Sequence, residues 1–366
     1  MKPRDIVFMA SRDWEGLPLQ SHFLAEGYAR RGHRVFYINQ TLQKWPRLEH
    51  FRKRFLSGRS TGRVDSYADR VQGVQPVTML LGPPESWLRP LNRRLIRRAL
   101  APYWIESPAF VSWVPTYNCL DMMALLKPYR TAYVNYHHFE ADDVLPALLE
   151  AERKVVASVD LLFTDSLFLN RRISEMSGGR EVHRSMPGVY LEPFRTARRG
   201  DELERRRHVM YFGEIGTHLD LDAYNTLAEH YDVTMVGVLT SAARERLSSR
   251  VTVRPPVSVF DLPDVLRDAD VLATLYLDSP YMLGVLPSKF FECLATGKPL
   301  LVSGLEEVRP YGDVVHYLDG GGAEALQVME RLQELETPAV TARRDELAAE
   351  ADWERRFEHF AGILDA

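Results

Sequence analysis

The sequence predicts an α/β protein of two domains, each built on a parallel β-sheet. Three observations support this fold class. Short apolar segments typical of strands alternate with segments of helical periodicity, and the alternation begins again near His208 after a polar stretch. The chain of 366 residues is also long enough for two domains of ordinary size. An apolar content of 45% and a charged content of 26% are typical of globular proteins.

The first half opens with an apolar strand at Asp5–Ala10, a helix at Gln20–Arg31 and a second strand at Arg34–Ile38. A strand–helix–strand unit of this length predicts parallel pairing through a right-handed crossover. The loop after the first strand contains only Gly16, which excludes the Gly-x-Gly-x-x-Gly dinucleotide fingerprint. Further strands are expected at Val77–Leu81, Ala109–Trp113, Thr131–Val134 and Leu161–Thr164. Helices are expected between them at Leu88–Leu100, Asn118–Leu126 and Asp143–Ser158.

The second half repeats the alternation of strands and helices. Strands are expected at His208–Phe212, Val233–Val236, Val251–Val253, Val271–Leu277 and Pro299–Ser303. Helices are expected at Asp220–His230, Val259–Arg267 and Pro287–Gly297. In the last of these, Pro287 suits a first helical turn, where a backbone N–H is not needed, and Gly297 suits the position where a helix ends.

The expected domain boundaries follow from these elements and from local composition. Residues 195–207 are rich in Arg and Glu and show no apolar stripe, so this segment is expected to link the domains. The N-terminal domain is then expected at 1–194 and the C-terminal domain at 208–345. An amphipathic terminal helix is expected within 346–366.

The cysteine content and the distribution of apolar residues bear on the compartment. Cys119 and Cys293 lie far apart in apolar contexts, which fits a reducing compartment without a disulfide framework. No stretch has the length and apolarity of a membrane span, and the N-terminus lacks the apolar core of a signal peptide. A cytoplasmic protein is therefore expected.

The net charge of −4 hides a strong asymmetry. Residues 1–100 contain 19 Lys and Arg against 8 Asp and Glu, a net charge of +11, so the remainder carries −15. The basic excess lies in Lys44–Arg63 and Arg89–Arg98, and apolar residues are interleaved with it: Trp45, Phe51, Phe55, Trp87, Leu91, Leu95 and Ile96. Such a pattern favours peripheral contact of residues 44–98 with an anionic membrane at its cytoplasmic face. A solvated helix face is the alternative, and nucleic acid is not expected because no recognition motif accompanies the charge.

One segment near the C-terminal end suits a nucleotide sugar. It runs from Gly284 through Lys289 and Glu292, and a helix that follows a glycine-containing loop offers backbone N–H groups to a phosphate. Lys289 adds a positive charge, and Glu292 lies about one helical turn further on, where a carboxylate can accept hydrogen bonds from ribose hydroxyls. An ordinary helix with solvated side chains is the alternative.

Several short segments of the sequence resemble those of family 4-like glycosyltransferases with the GT-B fold. They are Pro287-Ser-Lys-Phe-Phe-Glu292, Leu294-Ala-Thr-Gly-Lys-Pro299, Arg30-Arg-Gly-His-Arg-Val35, Met186–Phe194 and the Trp353-Glu-Arg-Arg helix. The resemblance implies two Rossmann-like domains that face a central cleft, with the last helix crossing back to the first domain. It also implies transfer of a sugar from a UDP-, GDP- or TDP-sugar to a saccharide or lipid-linked acceptor. Bacterial envelope polysaccharides such as teichuronic acid are the implied products.

The resemblance also bears on stereochemistry and on metal use. It implies retention of the anomeric configuration, although Gly284 stands where the family usually carries an upstream Glu. It implies no cofactor and no metal ion, since cationic side chains such as Lys289 and Arg12 neutralise the leaving diphosphate. The spacing of His137, His138 and Glu140 does not match a zinc motif either.

Candidate site residues come from the loops at the carboxyl ends of the strands, where open α/β sheets bind ligands. The donor-binding candidates are Gly213, Glu214, Gly216, Arg254, Gly284, Val285, Leu286, Pro287, Ser288, Lys289 and Glu292. The acceptor-side candidates are Arg12, Trp14, Gly16 and Glu140. The candidate catalytic bases are His138, His137 and Asp13, with His138 favoured, since His suits base work near neutral pH. A pair of surface histidines without a catalytic role is the alternative.

Three other functions remain open for this sequence. A natural-product glycosyltransferase would use the same donor site with a different acceptor. A nucleotide-sugar epimerase of the GT-B type would release or isomerise its sugar without an acceptor. A non-catalytic protein of the same fold would bind a nucleotide sugar without turnover.

Overall fold

The computed structural model describes residues 3–16, 18–39, 71–79, 86–142, 144, 146–198 and 208–366. The chain divides into two compact units, Met1–Ser185 with Phe357–Ala366, and Met186–Arg356. Of the linker expected at 195–207, residues 199–207 lie outside the described residues, and so do Leu80–Leu81 and the basic segment Lys44–Arg63. No helix in the described part of the chain is both long enough and apolar enough to cross a membrane.

The first unit contains a seven-stranded sheet in the order β3-β2-β1-β4-β5-β6-β7, and every neighbouring pair is parallel. Its strands are β1 Asp5–Met9, β2 Arg34–Ile38, β3 Val74–Val77, β4 Ala109–Ser112, β5 Arg130–Asn135, β6 Leu161–Thr164 and β7 His183–Arg184. Its helices are α1 Gln20–Arg30, α2 Arg89–Leu100, α3 Tyr117–Leu126, α4 Pro146–Ser158 and α5 Leu167–Met176. The central strand β1 is buried along its whole length, as expected for a parallel sheet covered on both faces.

One strand of the first unit differs from its prediction. The apolar run Val77–Leu81 predicted a strand, but β3 is Val74–Val77, because it pairs in register with β2 from Val35↔Val74 onward. Pro76 lies within β3, and it is tolerated there because β3 is an edge strand. The prediction used apolarity alone, whereas a partly exposed edge strand need not consist of apolar residues.

The second unit contains a six-stranded parallel sheet in the order β10-β9-β8-β11-β12-β13. Its strands are β8 His208–Phe212, β9 Asp232–Val236, β10 Thr252–Arg254, β11 Val271–Leu275, β12 Leu300–Ser303 and β13 His316–Tyr317. Its helices are α6 Leu191–Arg195, α7 Leu221–Leu227, α8 Ser241–Arg246, α9 Leu262–Leu266, α10 Lys289–Ala295, α11 Gly321–Glu330, α12 Leu332–Leu335 and α13 Pro338–Glu350. A last helix, α14, covers Trp353–Leu364.

The helix α10 is shorter than predicted. It begins at Lys289 rather than at Pro287, although the Phe290 N–H still donates to the Pro287 carbonyl at 3.0 Å. Its end agrees with the prediction, because Gly297 adopts a φ of 67°, a left-handed conformation that favours glycine. The result is a short helix that starts with a lysine.

Two aromatic side chains of α14 pack directly on the backbone of glycines, where a Cβ would overlap the rings. A Cβ at Gly27 on α1 would lie 2.6 Å from the Phe357 ring, and Phe357 also packs edge-on against Tyr28 at 4.9 Å. A Cβ at Gly188 would lie 2.6 Å from the Trp353 ring. Residues 357–366 belong to the first unit, so the last helix ends against α1.

A buried ionic cluster lies in the second unit beside β13. Arg344 on α13 is fully buried and donates to both carboxylate oxygens of Glu336 at 2.5 and 2.7 Å and to the Val314 carbonyl at 2.7 Å. His316 Nε2 lies 2.6 Å from the same carboxylate. Burial acts to raise the pKa of Glu336, but the hydrogen bonds from His316 and Arg344 outweigh it and lower the pKa to about 2.

Candidate functional site

The loops that follow β8 and β9 approach each other very closely at the carboxyl edge of the second sheet. Gly213 has a φ of 129° and Gly237 a φ of 158°. A Cβ at Gly237 would overlap the carbonyl of Gly213. The Gly213 N–H donates to the Val236 carbonyl at 2.9 Å, and the Ile215 N–H donates to the Val238 carbonyl at 2.9 Å. This loop therefore brings bare backbone to the edge where open α/β sheets bind ligands.

Lys289 reaches from α10 to the end of β8. Its ammonium donates to Tyr211 Oη at 2.9 Å and lies 4.3 Å from the centroid of the Tyr211 ring. It fills the space that a Cβ at Gly213 would occupy. Burial acts to lower the pKa of Lys289, but Tyr276 and Tyr211 outweigh it and raise the pKa above its usual value. The lysine is therefore a charged group beside the glycine loop.

Glu292 lies one turn along α10 from Lys289. Its side chain is half-buried, and its carboxylate makes no hydrogen bond or ion pair with any described residue. Burial raises the pKa of Glu292 to about 7, and Lys289 acts in the opposite direction. A partly desolvated carboxylate without a protein partner is costly to keep, which marks it as a group suited to a ligand.

His218 and Tyr276 complete this cluster, and neither was among the predicted site residues. The two rings stack with centroids 5.6 Å apart and planes 25° apart. The Lys289 ammonium lies 5.7 Å from the centroid of Tyr276. Burial lowers the pKa of His218, while Glu214 raises it and Lys289 lowers it. We refer to Tyr211, Gly213, His218, Tyr276, Lys289 and Glu292 as the edge cluster.

The other predicted donor residues differ in their relation to the edge cluster. Glu214 is exposed in the same loop and accepts a hydrogen bond through its carbonyl from Tyr211 at 2.8 Å, and Gly216 packs against His218. The segment that leads into Lys289 holds the predicted residues Gly284, Val285, Leu286, Pro287 and Ser288, and it begins with a 3₁₀ turn at Met282–Gly284. The Arg254 side chain instead pairs with Asp268, with Nη1 and Oδ2 3.9 Å apart.

In the first unit, the loop after β1 is held by His22, a residue that the sequence did not single out. His22 is fully buried, accepts a hydrogen bond at Nδ1 from the Leu19 N–H at 3.1 Å, and has Nε2 3.2 Å from the Asp13 carbonyl. Trp14 stacks on the imidazole with centroids 5.2 Å apart. Burial lowers the pKa of His22 to about 4. The neutral histidine fixes the predicted segment from Arg12 to Gly16 against α1.

The loop after β5 carries the two predicted histidines. His137 Nε2 lies 3.4 Å from Asp142 Oδ2, whereas His138 Nε2 lies 3.8 Å from Glu140 Oε2 and its ring packs against Phe168 at 4.8 Å. The two rings thus contact different partners. Burial lowers the pKa of His137, and Asp142 acts in the opposite direction.

A buried ionic network forms hydrogen bonds with this loop. Arg172 on α5 binds Glu140 with two hydrogen bonds of 2.7 and 2.6 Å and also pairs with the fully buried Glu152 of α4. Asn135 donates to Glu152 Oε1 at 2.9 Å and to the His137 carbonyl at 3.2 Å. Bidentate arginine–carboxylate pairs fix geometry, so the network holds the acceptor-side residue Glu140 in place.

The loops with Asp13 and with His137 and His138 lie at the same edge of the first sheet. They follow β1 and β5, which are separated by β4 alone. Two strand spacings place the loops about 10 Å apart. The three predicted catalytic residues Asp13, His137 and His138 therefore lie along one edge of the first sheet.

The basic helix α2 divides into two faces. Arg89 and Arg93 pair with the buried Asp121 of α3, with Nη2–Oδ1 distances of 2.6 and 2.9 Å. The exposed face carries Trp87, Leu91, Arg94, Arg97 and Arg98, and the side chains of Trp87 and Leu91 are 65% and 51% exposed. Trp104, just beyond the helix, is 80% exposed. We refer to this face, with Trp104, as the basic face.

The side chains that commonly bind metal ions do not cluster in the described part of the chain. There, no group of three or more His, Cys, Asp or Glu side chains could hold a metal ion. Cys119 and Cys293 are both buried, and they are not paired with each other.

No protein-family model matches the chain. The chain is similar to TuaH of Bacillus subtilis (strain 168), which is named as a teichuronic acid biosynthesis glycosyltransferase. The two are 26% identical over 243 residues, and the match covers 59% of this chain and 59% of TuaH. The match thus spans about six-tenths of the length of that relative.

Solved structures resemble the chain over nearly its whole length. Sucrose-phosphate synthase from Thermosynechococcus elongatus has a TM-score of 0.70 and 14% identity, with 98% of each chain covered. HepE from Anabaena in complex with UDP has a TM-score of 0.68 and 12% identity, with 99% of each chain covered. A glycosyltransferase from Rickettsia africae ESF-5 has a TM-score of 0.68 and 12% identity, with 100% of this chain and 98% of that chain covered. These similarities and the two parallel sheets confirm the predicted GT-B fold.

Proposed function

Since the chain has the GT-B fold, we propose that it is a glycosyltransferase that takes a sugar from a nucleotide diphosphate sugar and builds a bacterial envelope polysaccharide. The similarity to TuaH and to the fold of nucleotide-sugar enzymes supports this activity. HepE was solved with UDP and with UDP-glucose, which supports a nucleotide sugar as the donor.

The observation that carries the proposal is the position of two side chains, Lys289 and Glu292. They lie one helical turn apart on α10, at the carboxyl edge of the second sheet. Lys289 is a charged group beside the bare backbone of Gly213, a combination that suits a diphosphate. Glu292 makes no hydrogen bond or ion pair with a described residue and can accept hydrogen bonds from two ribose hydroxyls. The nucleotide then spans one turn of α10.

Calorimetric titration with UDP, GDP and TDP tests the donor site, on the wild type and on Glu292→Ala. The loss of hydrogen bonds to a charged carboxylate should cost about 1.5–3 kcal/mol, or roughly ten- to a hundredfold in Kd. Glu245→Ala is the matched control, because Glu245 is an exposed glutamate of the same unit, on α8. If none of the three nucleotides binds, or if Glu292→Ala binds as well as the wild type, the proposed donor site is wrong.

His138 is the proposed catalytic base, with His137 and Asp13 as the rival candidates. His138 has a carboxylate, Glu140, 3.8 Å away, and Glu140 is fixed by Arg172. A base oriented by a carboxylate suits removal of a proton from an acceptor hydroxyl. Trp14, Gly16 and Arg12 would then border the acceptor beside Asp13.

Transfer rates of His138→Asn, His137→Asn and Asp13→Asn distinguish the three bases. The variant that lacks the base should lose about 10²–10⁴-fold in kcat while it binds the nucleotide normally. A larger loss in His137→Asn or Asp13→Asn than in His138→Asn would assign the base to that residue. Normal rates in all three would favour a base elsewhere, and nucleotide binding without turnover in the wild type would favour a non-catalytic protein.

The proposed acceptor is a saccharide or lipid-linked saccharide at an anionic membrane surface that the basic face contacts. Arg94, Arg97 and Arg98 are exposed without an ion pair to a described residue, and exposed Trp87 and Leu91 lie beside them. Exposed arginines beside apolar side chains bind anionic headgroups at about 1 kcal/mol per charge. The protein is therefore proposed to act in the cytoplasm at the inner face of the membrane.

Co-sedimentation with vesicles tests the basic face. The triple variant with Gln at 94, 97 and 98 should lose most binding to vesicles that contain anionic lipid, and neither protein should bind neutral vesicles. The charge-matched control carries Gln at 244, 246 and 250, three exposed arginines of the second unit. Equal binding by the two triple variants would contradict membrane contact through the basic face.

No metal ion and no cofactor are needed in the proposed mechanism, because Lys289 carries the positive charge that the leaving diphosphate requires. Turnover should therefore persist in EDTA. Retention of the anomeric configuration is proposed from the resemblance of α10 and its flanking turns to family 4. The anomeric configuration of the product by NMR tests it.

A further inference from the structure

His218 is fixed at the carboxyl end of β11 by backbone hydrogen bonds on both sides. The Leu277 N–H donates to the His218 carbonyl at 3.0 Å, and the Asp220 N–H donates to the Leu275 carbonyl at 3.0 Å. Leu219, between them, forms an antiparallel bridge with Tyr276. The position of this histidine is therefore set by the sheet rather than by a free loop.

The imidazole of His218 is half-buried, and neither ring nitrogen makes a hydrogen bond with a described residue. Its ring stacks on Tyr276. It also packs over Gly216, where a Cβ would come within 2.7 Å of the ring. The structure thus holds an imidazole in place while its ring nitrogens stay available to a ligand.

Lys289 is the cation nearest to this ring in the edge cluster. The His218 centroid and the Lys289 ammonium lie 5.6 and 5.7 Å from the same Tyr276 centroid. The charged groups that act on His218 are Glu214 from its own loop and Lys289 from α10, and they oppose each other. Because the charge of Lys289 acts on His218, the charge of a diphosphate bound at Lys289 would act on His218 as well.

We propose that His218 is a second ligand of the donor diphosphate and that it takes up a proton when the diphosphate binds. The inference rests on the proposed function and adds a ligand to its donor site. In the free protein, burial and Lys289 favour the neutral imidazole. A diphosphate offsets the charge of Lys289 and gives the imidazole acceptor oxygens, so the protonated form becomes favourable.

The experiment measures Kd for UDP-glucose, GDP-mannose and TDP-glucose by calorimetry between pH 6 and 8.5, in the wild type and in His218→Asn. A nucleotide sugar is used because its diphosphate is esterified at both ends and does not titrate in this range. The informative quantity is the ratio of the two Kd values at each pH, since the titration of Glu292 contributes equally to both and divides out. His230→Asn is the control, because His230 is exposed at the end of α7.

We expect the Kd ratio of His218→Asn to wild type to rise from about 1 at pH 8.5 to about 10 at pH 6, because one pKa unit of coupling is a factor of ten in affinity. The ratio for His230→Asn should stay near 1 throughout. A ratio for His218→Asn that does not change with pH would overturn the inference while the donor site stands. If no nucleotide sugar binds the wild type at any pH, the proposed function itself fails.

Discussion

Replacing Gly213 by alanine tests whether a residue without a side chain is required at position 213 for Lys289 to lie beside the loop. Gly213 has a φ of 129°, a conformation that L-residues rarely adopt. The new Cβ would overlap the Lys289 ammonium and lie 3.1 Å from Tyr211 Oη. The lysine would have to leave its place between the tyrosine and the loop.

Two separate losses follow from this displacement. The strained backbone should lower the free energy of unfolding by about 1–3 kcal/mol. Misplacing the ammonium should cost the diphosphate a charge-assisted hydrogen bond, about 1.5–3 kcal/mol, which is roughly a ten- to hundredfold rise in Kd. Urea unfolding measures the first loss, and nucleotide calorimetry measures the second.

A double-mutant cycle with Lys289→Ala separates the mechanism from general damage. Without the lysine, the Cβ at position 213 has no ammonium to displace, so the binding losses of the two changes should be far from additive. Gly321→Ala is the control, since Gly321 also has a positive φ, 62°, and its Cβ would make only an ordinary 3.7 Å contact. Gly321→Ala should cost stability but not affinity. Additive losses in the cycle, or normal binding by Gly213→Ala, would refute the reasoning.

Three further predictions concern stability and metal use. Arg344→Met should lower the free energy of unfolding by about 3–5 kcal/mol, because it removes the bidentate partner of the buried Glu336 carboxylate and leaves it with His316 alone among the described residues, whereas the exposed neighbour Arg343→Met should cost under about 1 kcal/mol. The pKa of Glu336 is lowered to about 2, so its contribution is present above pH 4.5 and should be lost as pH falls from 4.5 towards 2, as acid titration of urea unfolding would show. Gly27→Ala should destabilise by about 1–3 kcal/mol through overlap with an aromatic ring, whereas Gly362→Ala, with open space around it, should be neutral or stabilising. EDTA should leave the transfer rate unchanged, and a loss restored by Mg²⁺ or Mn²⁺ would contradict the role given to the lysine.

The strand and helix pattern was predictable because the central parallel strands are buried on both faces and read as apolar runs. β1, β8 and β11 were predicted to within a few residues for this reason. β3 was misplaced because an edge strand is only partly buried and its position depends on pairing with β2. The two-residue strands β7 and β13 are too short to produce a pattern at all.

The candidate site was predictable only where residues adjacent in sequence act together. Lys289 and Glu292 lie on one turn of α10, so their spacing carried the information. Tyr211 and His218 meet Lys289 only through folding, and nothing local distinguishes them from an ordinary strand tyrosine and a loop histidine. The signal that could have found His218 is its place just before Asp220, which accepts a hydrogen bond from the Ala223 N–H at the start of α7. Arg254 shows the opposite case, because its position at a strand end was suggestive while its side chain is engaged by Asp268.

The edge cluster contains two titratable groups, Glu292 and His218, whose ionisation affects donor binding in opposite directions with pH. Glu292 must be ionised to accept two ribose hydrogen bonds, and its pKa is raised to about 7, so nucleotide-sugar affinity should fall as pH drops below 7. His218 binds best when protonated, so affinity should also fall as pH rises from the pKa that His218 has in the free protein to the higher pKa that it has in the complex. Glu292→Gln should therefore remove the loss of affinity at low pH, and His218→Asn should remove the loss as pH rises. If either variant abolishes the pH dependence of affinity completely, one group alone controls it.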